Sequence, residues 1–319
     1  MKLSRERLLR EAGATGFRPE SLEKVLRLIG LLNSIFRYPD LRERLVLKGG
    51  TALNLFFFDV PRLSVDIDLN YIGSVDREGM ERDRPSLEAR LQAVFESEDL
   101  TVRRMPDEHA GGKWQLRYQG AHGQGGNLEV DLNYLHRIPL EPIHMMDSRP
   151  LGTFQAKAIP VLDLHDLAAG KLIALLDRSA ARDVFDAGGI FRHPDLDMER
   201  IRLPFVVMGA MSRSMDLRSA TPEVARMEPS DFERMVRPLL RHDEQIRGLE
   251  ALQAAAREGL GRLLPLRPHE AAFIEALWER GEIQPTLLTP DPEIQQRILA
   301  MPMLLWKAQH VRSHRGLNG

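Results

Sequence analysis

Two periods govern the order of apolar and polar residues in this chain, and the switches between them outline its architecture. Ser21 through Arg37 places Leu22, Val25, Leu26, Ile29, Leu32 and Ile35 at spacings of three and four, which is one apolar face of a helix. Pro19 and Pro39 bound that helix, and the whole stretch up to Pro39 reads as helical. The apolar segment Leu45–Leu47, the pair Gly49-Gly50 and a short helix over Thr51–Phe57 follow, broken by Asp59, Val60 and Pro61. Over residues 65–71 the period falls to two. Val65, Ile67 and Leu69 fall on one side of a strand, and Asp66, Asp68 and Asn70 on the other. Pro85–Leu100 returns to a helical period, burying Leu87, Leu91, Val94 and Phe95.

Three short strands are predicted next, Thr101–Met105, Lys113–Tyr118 and Leu128–Tyr134, separated by Gly111-Gly112 and the turn from Gly120 to Gly126. Phe154–Ile159 is a further strand candidate. From Asp163 onward the signals are almost all helical, at Leu164–Leu176, Arg182–Phe191, Asp231–Leu239, Gln245–Leu264, His269–Arg280 and Pro292–Met301. The expected fold class is α/β, with a small mixed sheet over residues 1–160 and an α-helical domain over 161–319.

Composition narrows the chemistry. The 319 residues are 43% hydrophobic, which supports packed cores. A net charge of −2 rules out a general cationic coat for nucleic acid, although 44 Lys and Arg remain to form local patches. No cysteine is present, so disulfides, thiolate zinc sites and a cysteine nucleophile are excluded. No signal peptide and no membrane span are read, and a cytoplasmic location is expected. The ten histidines show no metal-binding spacing; His136 and His165 lie nearest the motifs and are assigned structural roles.

The candidate site begins at the two periods' junction. Asp66 and Asp68 leave one face of a strand, where like charges repel unless a cation lies between them. Mg²⁺, or Mn²⁺, takes such oxygen ligands and keeps positions open for phosphate. Glu129 and Asp131 alternate against Leu128, Val130 and Leu132, so Asp131 completes a triad if that strand lies beside the first. Asp131 is also a candidate for deprotonating an attacking hydroxyl. Lys48, Gly49, Gly50 and Thr51 form a turn into a helix, where free N–H groups and a hydroxyl suit a triphosphate. Ser64 joins that face if the strand reaches it.

Downstream, Lys171 and Arg178 are seven apart and share a helix face, while Arg182 and Asp186 are four apart and placed to pair. Lys171 is the candidate triphosphate ligand, Arg178 and Arg182 hold phosphate or acceptor backbone, and Asp183 and Asp186 orient the cations or act at the metal edge. The competing reading is a salt-bridge network between helices. The tail residues Lys307, His310, Arg312, His314 and Arg315 read as a solvated basic tail, and Trp114, Trp278 and Trp306 as packing.

The runs Leu47-Lys48-Gly49-Gly50-Thr51-Ala52-Leu53, Arg62-Leu63-Ser64-Val65-Asp66-Ile67-Asp68-Leu69, and Lys171 through Arg178 to Arg182-Asp183-Val184-Phe185-Asp186 resemble the bacterial AbiEii/AbiGii toxin family in residue type, order and spacing. The likeness spans roughly residues 45–190. It implies a DNA polymerase β-like nucleotidyltransferase fold and a toxin of a two-gene toxin–antitoxin system, some members being linked to phage defence. It further implies an NTP substrate, a cognate antitoxin as partner, and in some members the acceptor end of tRNA as the target, blocking translation. Asp66 and Asp68 become metal ligands by that likeness, Lys171 the nucleotide-binding lysine and Asp186 a late acidic catalytic residue. Asp131 rests on strand alternation alone. Gly50 stands where many polymerase β-like enzymes have serine, which removes one hydroxyl contact to phosphate. The alternatives are a protein or small-molecule hydroxyl as acceptor, or a non-catalytic nucleotide-binding regulator.

Overall fold

The computed structural model describes residues 3–104, 111–242 and 248–314. Met105, Gln245 and Arg315, which fall within an expected strand, helix and tail, lie outside the described residues. Along the chain, α1 (Arg5–Thr15), α2 (Pro19–Phe36) and α3 (Pro39–Arg42) precede β1 (Leu45–Lys48), α4 (Gly49–Ala52), β2 (Asp66–Tyr71) and α5 (Arg77–Ser97). The strands β3 (Thr101–Arg104), β4 (Gly111–Gln119), β5 (Gly125–Asn133), β6 (His144–Met146) and β7 (Ile159–Val161) come next. Helices α6 (Leu164–Arg178), α7 (Ala181–Ile190), α8 (Arg202–Ala210), α9 (Pro229–Met235), α10 (Leu249–Gly261), α11 (Pro268–Glu275), α12 (Pro292–Ala300) and α13 (Pro302–His314) complete the order.

The chain forms two compact units. The first takes Met1–Arg137, Ile143–Leu162 and Arg234–Gln245; the second takes Ile138–Pro142, Asp163–Glu233 and Ile246–Gly319. The first holds one seven-stranded mixed sheet in the order β3-β4-β5-β2-β1-β7-β6. β2 runs parallel to β5 and antiparallel to β1. Period-two alternation gives the sheet one apolar face, where Ile67, Leu69, Trp114, Leu116, Leu128, Val130 and Leu132 are buried. On that face Phe95 of α5 meets Trp114 edge-on at 5.9 Å, and Arg27 of α2 lies over the Tyr118 ring. Over β2, β5, β4 and β3 the other face carries polar side chains.

The second unit is helical among its described residues. Within it α6 packs on α7 and α8, and α10 packs on α7. Arg202 forks onto Glu270 at 2.7 and 2.6 Å, and spends its other N–H groups on the Arg262 and Leu263 carbonyls. That full set of partners offsets the cost of burying both charges.

Several elements differ from expectation. α5 starts eight residues early and runs through Pro85. Its first turns are polar and carry no apolar period, but Asp76 caps them and Arg77–Glu81 and Arg84–Glu88 pairs line them. The strand expected at Phe154–Ile159 is instead Ile159–Val161, paired with Leu47 of β1 and with β6. α8 and α13 had no expected counterpart. Of the basic tail, Lys307, His310, Arg312 and His314 lie on α13, and Lys307 is not solvated: it is buried, donates to the Ser212 carbonyl at 2.9 Å and lies 3.6 Å from the centre of the Trp278 ring.

Candidate active site

The register of four strands assembles the site in the first unit. Lys48 pairs with Asp68, Asp68 with Asp131, and Asp131 with Lys113, across β1, β2, β5 and β4. Residues directly opposite in a ladder share a face, so a single row reads cation, carboxylate, carboxylate, cation. One step along the strands, Asp66 stands opposite Glu129, which stands opposite Gln115. Lys113 Nζ reaches across to Glu129 Oε2 at 2.8 Å.

This geometry sets the electrostatics. The Asp131 carboxyl is pushed above the usual carboxylate range, first by burial and then by the charge of Asp68; Lys48 and Lys113 pull the other way. Lys113 is held charged more firmly than usual by its bond to Glu129 and by Asp131 and Asp66. The His136 imidazole is pushed down to about 4 by burial and by the charge of Lys48, so at neutral pH it is uncharged.

The glycine pair is shaped by the carboxylates. Gly49 sits at φ +75°, and a Cβ there would run into Asp68 Oδ2. A Cβ on Gly50 would lie 2.9 Å from Ser64 Oγ and 3.3 Å from Arg62 Nη2. The glycines therefore let the turn lie directly against the acidic strand. The helix starts at Gly49, two residues before the expected Thr51. Thr51 is fully buried and donates to the carbonyl of Asp66 at 2.5 Å, so its hydroxyl braces the strand where a phosphate contact was expected. β2 begins at Asp66 and does not extend to Ser64, which is buried beside Gly50.

Asp66, Asp68 and Asp131 share the face without closing into a cage. Among the described residues no three His, Asp or Glu side chains converge closely enough to hold a metal ion. Repulsion between carboxylates on adjacent strands favours this spread. The donor set is nonetheless all oxygen, with Asp68 and Asp131 side by side on an open face, which fits a hard divalent cation rather than a soft one.

In the second unit, Lys171 on α6 donates to Asp183 Oδ1 at 2.9 Å and pairs with Asp186 Oδ2 at 3.1 Å. Arg178 Nε donates to Asp183 Oδ2 at 2.8 Å. Lys171 and Arg178 thus share a helix face and meet at Asp183, and Asp186 goes to Lys171 where the spacing had pointed to Arg182. Burial would raise the Asp183 carboxyl, but Lys171 and Arg178 outweigh it and hold that group below the usual range.

A model of the nucleotidyltransferase AbiEii toxins of type IV toxin–antitoxin systems matches residues 30–276. The chain belongs to this AbiEii family. No curated protein matches it. Among solved structures it is similar to MenT4, a nucleotidyltransferase toxin from Mycobacterium tuberculosis H37Rv, at 18% identity and a TM-score of 0.62, over 94% of this chain and 99% of that one. The seven-stranded mixed sheet with helices after it is thus a nucleotidyltransferase toxin fold. As an AbiEii family member the chain is a nucleotidyltransferase enzyme and the toxin of a toxin–antitoxin system, which implies an NTP substrate, a divalent metal in general and a cognate antitoxin. Among the described residues no helix is long and apolar enough to cross a membrane.

Lys113 is the site neighbour that the sequence does not single out; His136, expected to be structural, stands near enough to Lys48 to feel its charge. Lys113 falls on the same alternation as Gln115 and Arg117, a signal that needs the β4–β5 register before it points anywhere.

Proposed function

We propose that this toxin transfers a nucleoside monophosphate from an NTP to a hydroxyl of RNA, at the acceptor end of tRNA, and so blocks translation in the cytoplasm. The observation that carries the reading is the in-register pair of Asp68 and Asp131, flanked by Lys48 and Lys113 and roofed by the Gly49-Gly50 turn. Asp66, Asp68 and Asp131 would hold Mg²⁺ or Mn²⁺, which supplies charge neutralisation at the α-phosphate.

The chain's own groups do the rest. The acceptor oxygen forms a bond to the α-phosphorus while the bond to the β-phosphate oxygen breaks, and pyrophosphate leaves with that electron pair. Asp131 receives the hydroxyl proton. Lys48 and the N–H groups of Gly49 and Gly50 bind phosphate oxygens. Lys171, Arg178 and Arg182, in the second unit, are nucleotide ligands on the likeness of their motif to the family. Asp183 and Asp186 hold the Lys171 ammonium in place, and the family likeness makes Asp186 a late acidic residue.

The test is incubation of the protein with each labelled NTP and total RNA, with and without divalent metal, followed by sequencing of the labelled species. Metal-dependent label on tRNA ends is the expected result. Label on protein or a small molecule alone would move the acceptor, and binding without turnover would make the chain a regulator.

A further inference from the structure

The polar face of the sheet does not end at the carboxylates. It continues outward over β4 and β3, through Lys113, Gln115, Arg117 and Gln119 on β4 and Arg103 on the edge strand β3, where Arg103 stands opposite Gln115 and Thr101 opposite Arg117. Arg103 and Arg117 are exposed, and among the described residues no ion pair engages either. Glu129, opposite Gln115 on β5, is already compensated by Lys113. The outward half of the face is therefore a cationic platform joined to an anionic centre within one unit. Its alternate positions carry no aromatic ring, because Trp114, Leu116 and Tyr118 point to the buried side. Such a surface grips a charged backbone and offers no base a stacking partner.

We infer that this β3–β4 face holds the phosphate backbone of the RNA acceptor, with Arg103 and Arg117 as its phosphate ligands and Lys113 as the link to the reaction centre. The inference rests on the nucleotidyltransfer reading above and adds to it the path of the substrate. Three strand spacings separate β3 from β2, about 14 Å. At about 3.4 Å per stacked nucleotide, the contacted phosphates lie about four nucleotides in from the reacting end. Arg103 and Arg117 are diagonal neighbours across a ladder, about 7–8 Å apart, so they reach different phosphates. Gln115 and Thr101 lie between them as neutral hydrogen-bonding groups, and recognition here is indifferent to base identity.

The test compares the full-length wild type with R103A/R117A, using tRNA and a dinucleotide as alternative acceptors for labelled NTP. R5A/R10A, which removes the same charge from exposed positions of α1, is the control. The expected result is a KM for the longer RNA raised about tenfold in R103A/R117A, with kcat, the KM for NTP and the KM for the dinucleotide unchanged. The slope of log affinity against log salt should also fall by about 1.4, the single-strand value for two lost phosphate contacts. Unchanged KM and salt slope for the longer RNA, in a wild type that does label it, would overturn the inference and leave the reaction intact. Loss of antitoxin binding with RNA affinity retained would reassign the platform to the protein partner and overturn it equally. A wild type that labels neither RNA would instead remove the reading on which the inference rests.

Discussion

Two acidic clusters in this toxin solve opposite problems. On the sheet face of the first unit, Asp68 and Asp131 are forced side by side by strand register, and the cations flanking them do not neutralise the pair, since Lys113 is engaged with Glu129. In the second unit, Asp183 and Asp186 are buried and each is bonded to Lys171, with Arg178 completing Asp183. In the first cluster Lys48 and Lys113 offset burial and repulsion only in part, and the second is compensated. The Asp131 carboxyl is accordingly pushed up and the Asp183 carboxyl held down. Groups kept against their own electrostatic preference are the candidates for chemistry, and groups that are mutually satisfied brace the unit that contains them.

The contrast breaks most visibly at Asp68. D68A should lower nucleotide transfer by at least about 10³-fold while the thermal midpoint holds or rises, because one of two repelling charges is gone. Transfer at the wild-type rate would end the assignment. At the compensated cluster the expected outcome is reversed. K171A leaves Asp186 and Asp183 buried without their ammonium, and should cost about 3 kcal/mol in chemical denaturation as well as activity. An unchanged unfolding midpoint would show that the cluster is not a structural brace.

A smaller effect separates bracing from binding at the glycine turn. T51V removes the hydroxyl donated to the Asp66 carbonyl and should cost about 1 kcal/mol of stability with the KM for NTP little changed. A large rise in that KM with stability intact would restore Thr51 as a phosphate ligand.

The smallest expected effects are in pH dependence, and they differ in sign. The folded Asp183 carboxyl lies below its unfolded value of about 4, so its contribution is present above that pH and is lost as pH falls through the folded value. The folded Asp131 carboxyl lies above its unfolded value, so ionising it costs stability as pH rises from about 4. D131N should therefore gain less than about 0.5 kcal/mol at pH 7 and nothing at pH 3, by urea unfolding at the two pH values. D183N should lose stability at pH 7 and lose less of it at pH 3.

What could be read from the sequence follows from which periods are local. Asp66, Asp68 and Asp131 are fixed to a face by alternation within their own strands, and the glycines mark the turn, so these were legible. That Lys113 faces Asp131 depends on register between β4 and β5, which no local period contains. α8 escaped because Leu203 through Met208 is apolar without interruption, and a uniform run has no period to detect. Lys307 was misread as solvated because composition alone does not show that Trp278 and the Ser212 carbonyl await it. The family likeness supplied what geometry within a single strand lacks, the order along the chain of a glycine turn, an acidic strand and a later Lys–Asp block.

The positive φ of Gly49 has a consequence for how this gene is lost. A cell escaping its own toxin needs one disabling base change, and the mutational target is wider than the residues that react. Every missense change at codon 49 introduces a Cβ where the Asp68 carboxylate now lies, in a backbone region that side chains disfavour by about 1–2 kcal/mol. Selection for survivors of toxin expression should thus recover substitutions at Gly49 alongside those at Asp66 and Asp68. A position without any side chain would then be as vulnerable as the carboxylates it shelters.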